Sequence, residues 1–144
     1  MKEIHILLVE DNEGDIVLTL EALKEGKIRN KVTIARDGAE AIDLLLSRKN
    51  GQQDEPMPDL ILLDINLPKM DGKEVLSIIK KTPDLKNIPV VMLTTSSSEK
   101  DILESYSNHA NCYITKPVGL EKFMQVLRAI EHFWIHIVSL PVIK

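Results

Sequence analysis

The feature that most constrains the fold of this chain is a set of short apolar runs that each end in a chemically active side chain. IHILLV leads into Glu10 and Asp11, and the runs LILL, VVML and CYIT lead into Asp64, Thr94 and Lys116. Such unbroken runs of Val, Ile and Leu are typical of parallel strands that helices cover on both faces. The carboxyl ends of parallel strands share one edge, where open α/β sheets bind ligands. We therefore expect these side chains to converge on one pocket.

Segments of helical periodicity follow the apolar runs, so the chain divides into five strand–helix units. Right-handed crossovers between them predict an α/β fold with a doubly wound five-stranded parallel sheet and five helices. Asp37 and Asp71, each followed by glycine, mark the starts of the second and third helices, and Ser96 with Glu99 forms a capping-box pattern before the fourth. The polar segment 48–58 is predicted to be a solvent loop. The predicted strands are 4–9, 31–35, 59–64, 88–94 and 110–115, and the predicted helices are 15–24, 39–47, 73–81, 99–107 and 120–132.

Composition excludes several classes of protein. The 144 residues, 44% hydrophobic and 28% charged, suit one soluble domain over 1–144 with an extended tail over 133–144. A formal net charge of -4 argues against nucleic acid as a partner, since non-specific affinity for it comes from lysine and arginine. The apolar start is too short for a signal peptide, and no run reaches the ~20 residues of a membrane span. We therefore expect a cytoplasmic location, and a buried, redox-inactive Cys112.

Three carboxylates in the predicted pocket, those of Glu10, Asp11 and Asp64, would repel one another unless a cation lay among them. Carboxylate oxygens without histidine or cysteine suit a hard ion, and Mg²⁺ binds through one or two carboxylates with water and phosphate. Asp64 can also act as a nucleophile toward a phosphoryl group whose charge is neutralised by the metal and by Lys116. Thr94 can donate its hydroxyl to a phosphoryl oxygen. Taken singly, the acid pair is equally explained by a helix N-terminus and Asp64 with Lys116 by a plain ion pair. Thr94 alone is more often a polar strand end.

Four motifs give the chain a family resemblance. ILLVEDN, LILLDINLPKMDG, VVMLTTSSS and YITKP, with their spacing, resemble the response-regulator receiver domain of two-component signalling over residues 4–132. The resemblance implies the flavodoxin-like receiver fold with strand order 2-1-3-4-5. It also implies a protein that takes phosphate from a histidine kinase and signals by protein contact. On this reading the chain is not an enzyme beyond its own phosphorylation and dephosphorylation.

The resemblance assigns a role to each pocket residue by its motif position. It implies that Asp64 is the phosphoacceptor and that Glu10, Asp11 and the backbone carbonyl of Asn66 bind Mg²⁺ together with Asp64. Lys116 resembles the lysine that contacts the phosphoryl group.

A switch pair is also implied by the resemblance. Thr94 resembles the hydroxyl that moves toward the phosphate, and Tyr113 the aromatic ring that turns inward to fill the vacated space. In this family, partner proteins recognise the state of the switch pair at the surface formed by the fourth helix, fifth strand and fifth helix. Thr95 stands where many members have a smaller residue, so it is expected to slow phosphorylation or dephosphorylation, and Asn66 and Ser96 are expected to tune the phosphoryl lifetime.

More narrowly, the long loop before LILLD and the tail EHFWIHIVSLP resemble stand-alone receivers paired with bacterial phytochrome histidine kinases. A bacteriophytochrome kinase is therefore the implied partner, and the downstream protein target stays open.

Other readings remain open at this point. The chain would also suit a phosphorelay intermediate, or a pseudo-receiver that binds partners without phosphorylation. A Mg²⁺-dependent phosphatase of the haloacid-dehalogenase type needs a second aspartate where this chain has Asn66. A flavodoxin-like binding module lacks its phosphate loop after the first strand. His132 and His136 have a zinc spacing but no third ligand.

The last predicted helix and the tail 133–144 carry more apolar residues than one helix face can bury. We therefore predict a homodimer through this helix and tail, because the surplus apolar surface favours a second copy of the chain. Sedimentation of the protein at tens of micromolar, with and without phosphorylation, measures its oligomeric state. A monomer under both conditions would contradict the prediction.

Overall fold

The computed structural model describes residues 3–25, 29–51, 55–94, 112–116, 118, 119, 121, 122 and 125. Within them lie five strands and three helices. The strands are β1 (Ile4–Val9), β2 (Asn30–Ala35), β3 (Leu60–Asp64), β4 (Val90–Thr94) and β5 (Cys112–Thr115). The helices are α1 (Glu13–Glu25), α2 (Gly38–Lys49) and α3 (Gly72–Lys81).

The strands form one sheet in the order β2-β1-β3-β4-β5, and each pair of neighbours is parallel. The predicted α/β fold, parallel pairing and strand order are therefore confirmed. The predicted fourth helix and most of the fifth fall outside the described residues, as do Ser96, Glu99, His132, His136 and the tail 133–144. The homodimer stays a prediction for the same reason. In the described part of the chain, no helix is long and apolar enough to cross a bilayer.

Two apolar clusters, one on each face of the sheet, form the core. Successive side chains of a strand point to opposite faces, so a strand covered on both sides must be apolar throughout. β3 shows this most clearly, because all five of its residues are buried. One cluster joins the sheet to Ile16 and Leu23 of α1, and the other joins it to Leu45 of α2 and Leu76 of α3.

Aspartate caps begin two of the helices where the sequence predicts them. The Asp37 side chain accepts a 2.8 Å hydrogen bond from the Glu40 backbone N–H, while Glu40 accepts one from the Arg36 N–H at 3.1 Å. Asp71 accepts from the Glu74 N–H at 3.0 Å. Such a cap typically stabilises a helix by about 1 kcal/mol, and the bond from Arg36 to Glu40 also ties the residue before the cap to the first turn of α2.

The predicted solvent loop 48–58 is wrong at its beginning. Arg48 and Lys49 belong to the last turn of α2, and Arg48 is only 8% exposed. Its guanidinium donates to the Pro56 carbonyl oxygen at 3.2 Å and to the Thr33 hydroxyl at 3.1 Å. From the sequence, a charged residue at the start of a polar stretch is expected to lie in solvent. The long apolar stem of arginine can instead be buried, here beneath the segment that precedes β3. This arginine ties the segment before β3 to β2 at the edge of the sheet.

Gly72 lies in direct contact with the end of β3. Its N–H donates to the Ile65 carbonyl oxygen at 2.8 Å. A Cβ atom at this position would overlap the Asp64 carbonyl oxygen and lie 2.8 Å from the Ile65 Cα. The first residue of α3 therefore packs against the backbone of Asp64 with no space for a side chain.

Gly72→Ala is expected to lower the free energy of unfolding by at least roughly 2 kcal/mol, because the displaced atoms are backbone atoms that cannot rotate away. Alanine's better helix propensity, worth up to about 1 kcal/mol, does not offset this. Urea unfolding measures the difference. Gly119→Ala is the matched control, since a Cβ there meets nothing within 4 Å. Equal stability of the two variants would contradict the prediction.

Candidate functional site

Three acidic side chains meet at the carboxyl edge of the sheet, the edge at which the strands end. Glu10 and Asp11 follow β1 directly, and Asp64 is the last residue of β3, the strand that pairs with β1. One oxygen from each carboxylate lies within 4.8 Å of the others. Glu10 and Asp64 are buried, whereas Asp11 is exposed. The predicted convergence of these three residues is therefore confirmed.

Lys116 follows the edge strand β5 and adds a positive charge to the cluster at the same carboxyl edge of the sheet. Its backbone N–H donates to the Thr94 carbonyl oxygen at 2.7 Å, which continues the pairing of β4 and β5 by one residue. Its Nζ lies 2.9 Å from Glu10 Oε1 and 3.3 Å from Asp64 Oδ2. The side chain is only 6% exposed. A largely buried ammonium thus faces the carboxylates predicted to surround it.

A further acid in this cluster, Asp15, was not among the predicted site residues. Its Oδ2 lies 2.9 Å from Lys116 Nζ. Asp15 belongs to the first turn of α1, and its backbone N–H donates to the Asn12 side-chain oxygen at 2.9 Å. The sequence signal that could have identified Asp15 is its spacing of four residues from Asp11, about one helical turn, which brings two side chains to the same side of a helix.

Backbone N–H groups orient the two buried carboxylates. The Asn12 N–H donates to Glu10 Oε2, and the Asn66 N–H donates to Asp64 Oδ1, both at 3.2 Å. In each case the donor lies two residues after the acceptor, in the loop that leaves the strand. The loops after β1 and β3 therefore hold each carboxylate in place. The contact of Asn66 with Asp64 is made by the backbone N–H of Asn66.

The electrostatics of the pocket make Asp64 hard to ionise. Burial and the adjacent Glu10 carboxylate together raise the pKa of Asp64 to about 7, although Lys116 and the Asn66 N–H act in the opposite direction. Burial by itself lowers the pKa of Lys116, but its bonds to Asp15 and Glu10 outweigh that effect and move it above the usual range. One ammonium therefore faces several carboxylates, and the pocket keeps an excess of negative charge.

A divalent cation fits this donor set. Glu10, Asp11 and Asp64 offer only carboxylate oxygens, which are the ligands of hard cations. The single ammonium of Lys116 faces more than one carboxylate, so the charges of these residues do not balance one another. A cation among the three carboxylates would remove that imbalance.

Thr94 and Tyr113 lie on neighbouring strands close to the pocket. Thr94 ends β4, is fully buried and pairs with Thr115, while Tyr113 pairs with Met92 and is 36% exposed. The two residues are thus offset by two positions on the same face of the sheet. The structure places both members of the predicted switch pair but leaves their movement untested. Thr95 and Ser96 lie outside the described residues.

Comparisons with known proteins agree with this geometry. The family model for the response regulator receiver domain matches residues 6–128. The response regulator Rcp1 of Synechocystis sp. is 48% identical over 136 residues, which cover 94% of this chain and 92% of Rcp1. The Mn²⁺-bound form of Rcp1 has a TM-score of 0.74 at 48% identity, covering 96% of this chain and 99% of Rcp1 in that structure.

Two further solved structures are similar over nearly their whole length. The phosphorylated cyanobacterial phytochrome response regulator RcpA has a TM-score of 0.77 at 48% identity, covering 97% of this chain and 99% of RcpA. The bacteriophytochrome response regulator AtBRR has a TM-score of 0.81 at 41% identity, covering 91% of this chain and 94% of AtBRR. Because the matched residues contain the strand ends that build the pocket, the chain belongs to the response regulator receiver domain family of two-component signalling.

Proposed function

We propose that this receiver domain accepts a phosphoryl group on Asp64 from a histidine kinase and passes the signal on by protein contact. The observation that carries the proposal is the pairing of Asp64 with a largely buried lysine, 3.3 Å apart, at the carboxyl edge of the sheet. A carboxylate in this position is a nucleophile, and the ammonium beside it stabilises the negative charge of the group being transferred.

The transfer exchanges one bond to phosphorus for another. A carboxylate oxygen of Asp64 attacks the phosphorus of the kinase's phosphohistidine, so that a P–O bond forms while the P–N bond breaks. The bonding electron pair leaves with the imidazole nitrogen, which then takes a proton from solvent. Hydrolysis resets the site when a water oxygen attacks phosphorus and the P–O bond to Asp64 breaks. The electron pair of that bond returns to the Asp64 carboxylate, and inorganic phosphate and a proton are released to solvent. The domain acts on itself alone and is not an enzyme with a separate substrate.

Mg²⁺ is the proposed cofactor, held by the carboxylates of Glu10, Asp11 and Asp64 and by the Asn66 backbone carbonyl. The clustering of the three carboxylate oxygens and the solved Mn²⁺-bound form of Rcp1 support a divalent ion at this place. When bound, the ion neutralises the carboxylates and the oxygens of the incoming phosphoryl group, which lets Asp64 ionise at neutral pH.

Thr94 and Tyr113 are the proposed link between the pocket and the protein surface. Thr94 ends the strand next to β3 and is buried, whereas Tyr113 is partly exposed on the edge strand β5. A move of the Thr94 hydroxyl toward the phosphoryl group frees space that the tyrosine ring enters. The change then alters the β5 surface that a partner protein contacts.

A phytochrome histidine kinase is the proposed phosphate donor. RcpA and AtBRR, both similar over more than nine tenths of this chain, are phytochrome and bacteriophytochrome response regulators. We propose that this chain works beside such a kinase in the cytoplasm, as the homodimer predicted above, with a downstream protein as its target.

Incubation with acetyl phosphate and Mg²⁺ is expected to add one phosphoryl mass to the protein, and Asp64→Asn is expected to abolish the addition. Asparagine lacks the nucleophilic oxygen while keeping the size of the side chain. Intact-mass spectrometry measures the change. Asp43→Asn, which alters an exposed aspartate of α2, serves as the control and should behave as the wild type. A mass increase that persists in Asp64→Asn would refute the assignment.

Metal-free protein is expected to lose stability, relative to Asp64→Asn, as the pH rises from about 4 to about 7. The folded-state pKa of Asp64, about 7, lies above the ordinary value of 3.8, so the folded protein holds a proton that the unfolded chain releases. Stability therefore falls with pH across this window and levels off above it. Above pH 7 the variant should melt higher by on the order of 5 °C.

Thermal unfolding in EDTA, with Asp43→Asn as the control, measures this gap in melting temperature. Addition of Mg²⁺ at pH 8 should narrow it by stabilising the wild type more than the variant. A gap that stays constant from pH 4 to pH 8 would contradict the prediction.

A further inference from the structure

The Lys116 ammonium has no hydrogen-bond donor left for a phosphoryl oxygen. An ammonium carries three N–H donors. In this structure Nζ contacts three carboxylates, those of Glu10 and Asp15 at 2.9 Å and that of Asp64 at 3.3 Å. Phosphorylation converts the Asp64 carboxylate into an acyl phosphate and adds negatively charged phosphoryl oxygens. These oxygens then compete for the ammonium with the two carboxylates that remain, those of Glu10 and Asp15.

Asp15 is the partner that is easiest to give up. The Glu10 side chain is 0% exposed and is also held by a backbone N–H. A buried carboxylate that loses its ammonium has no water to replace it, which is costly. The Asp15 side chain is 27% exposed. Water can take the place of Lys116 there, so the cost of breaking this bond is small.

We infer that Asp15 is a positioning residue that holds Lys116 in the unphosphorylated state and thereby opposes phosphorylation. The inference rests on the proposed function, in which Lys116 contacts the phosphoryl group. An interaction present in only one of two states favours that state, so the bond to Asp15 lowers the affinity of the pocket for a phosphoryl group. The Asp15 carboxylate and the phosphoryl oxygens compete for the same ammonium.

A favourable charge at the N-terminus of α1 does not explain why Asp15 contacts Lys116. Glu13 lies in the same first turn and supplies the same favourable charge at the helix N-terminus. Glu13 instead pairs with Arg36 on the surface, where its side chain is 70% exposed. Glu13→Gln therefore removes the same charge from the same turn without touching Lys116, and it is the matched control for Asp15→Asn.

Beryllofluoride, which mimics the phosphoryl group on the acceptor aspartate, is the probe. Each variant is titrated at saturating Mg²⁺, after its own Mg²⁺ affinity has been measured, and binding is followed by NMR. Asp15→Asn is expected to bind beryllofluoride about two- to fivefold more tightly than the wild type, the range of a partly exposed ion pair. Asp15→Ala should show at least the same gain, Asp15→Glu should return toward the wild-type value, and Glu13→Gln should leave it unchanged.

A double-mutant cycle with Lys116→Met shows whether Asp15 acts through the lysine. The gain from Asp15→Asn should vanish in the Lys116→Met background, because the competition needs the ammonium. An equal gain in that background, or no gain from either Asp15→Asn or Asp15→Ala, would overturn the inference while leaving the proposed function intact. Failure of the wild type to bind beryllofluoride or to gain phosphoryl mass would overturn the proposed function itself.

Discussion

The contact between one buried ammonium and the surrounding carboxylates is the interaction on which the carboxyl edge of the sheet depends. Lys116 extends from the end of β5 and reaches residues at the end of β1, at the end of β3 and in the first turn of α1. Buried carboxylates are costly unless they are paired and hydrogen-bonded. The lysine and the backbone N–H groups of Asn12 and Asn66 offset much of that cost and leave a pocket that is still short of positive charge.

The apolar sheet beneath this pocket explains why its charges act so strongly. β3 is buried along its whole length, and the core clusters cover both faces of the sheet. Charges held against such a core are poorly screened, so each carboxylate affects its neighbours far more than it would at an exposed surface. The same scaffold therefore disfavours ionisation of Asp64 by itself and favours a cation beside its carboxylate.

Much of the fold and of the pocket was predictable because both follow from strand ends. Unbroken apolar runs reveal parallel buried strands, and whatever follows such a run must lie at the carboxyl edge, as Glu10, Asp64 and Lys116 do. Asp15 was missed because it lies on a helix, and a helical residue reaches the pocket only if the rotation of that helix is known. Arg48 was misplaced because polar sequence does not distinguish a charge in water from one whose stem lies under the chain. Helices α2 and α3 begin one residue earlier than predicted because their aspartate caps let them start at the glycine that follows.

The span of sequence that the lysine bridges has a consequence for the newly made protein. Glu10 and Lys116 are 106 residues apart, yet they are joined by a 2.9 Å bond. During synthesis, the carboxylates of Glu10 and Asp64 are made well before the lysine that they contact in the folded protein. The charges of the pocket are therefore complete only once β5 and the lysine after it have been made, and a shorter chain carries the carboxylates without the ammonium that offsets them.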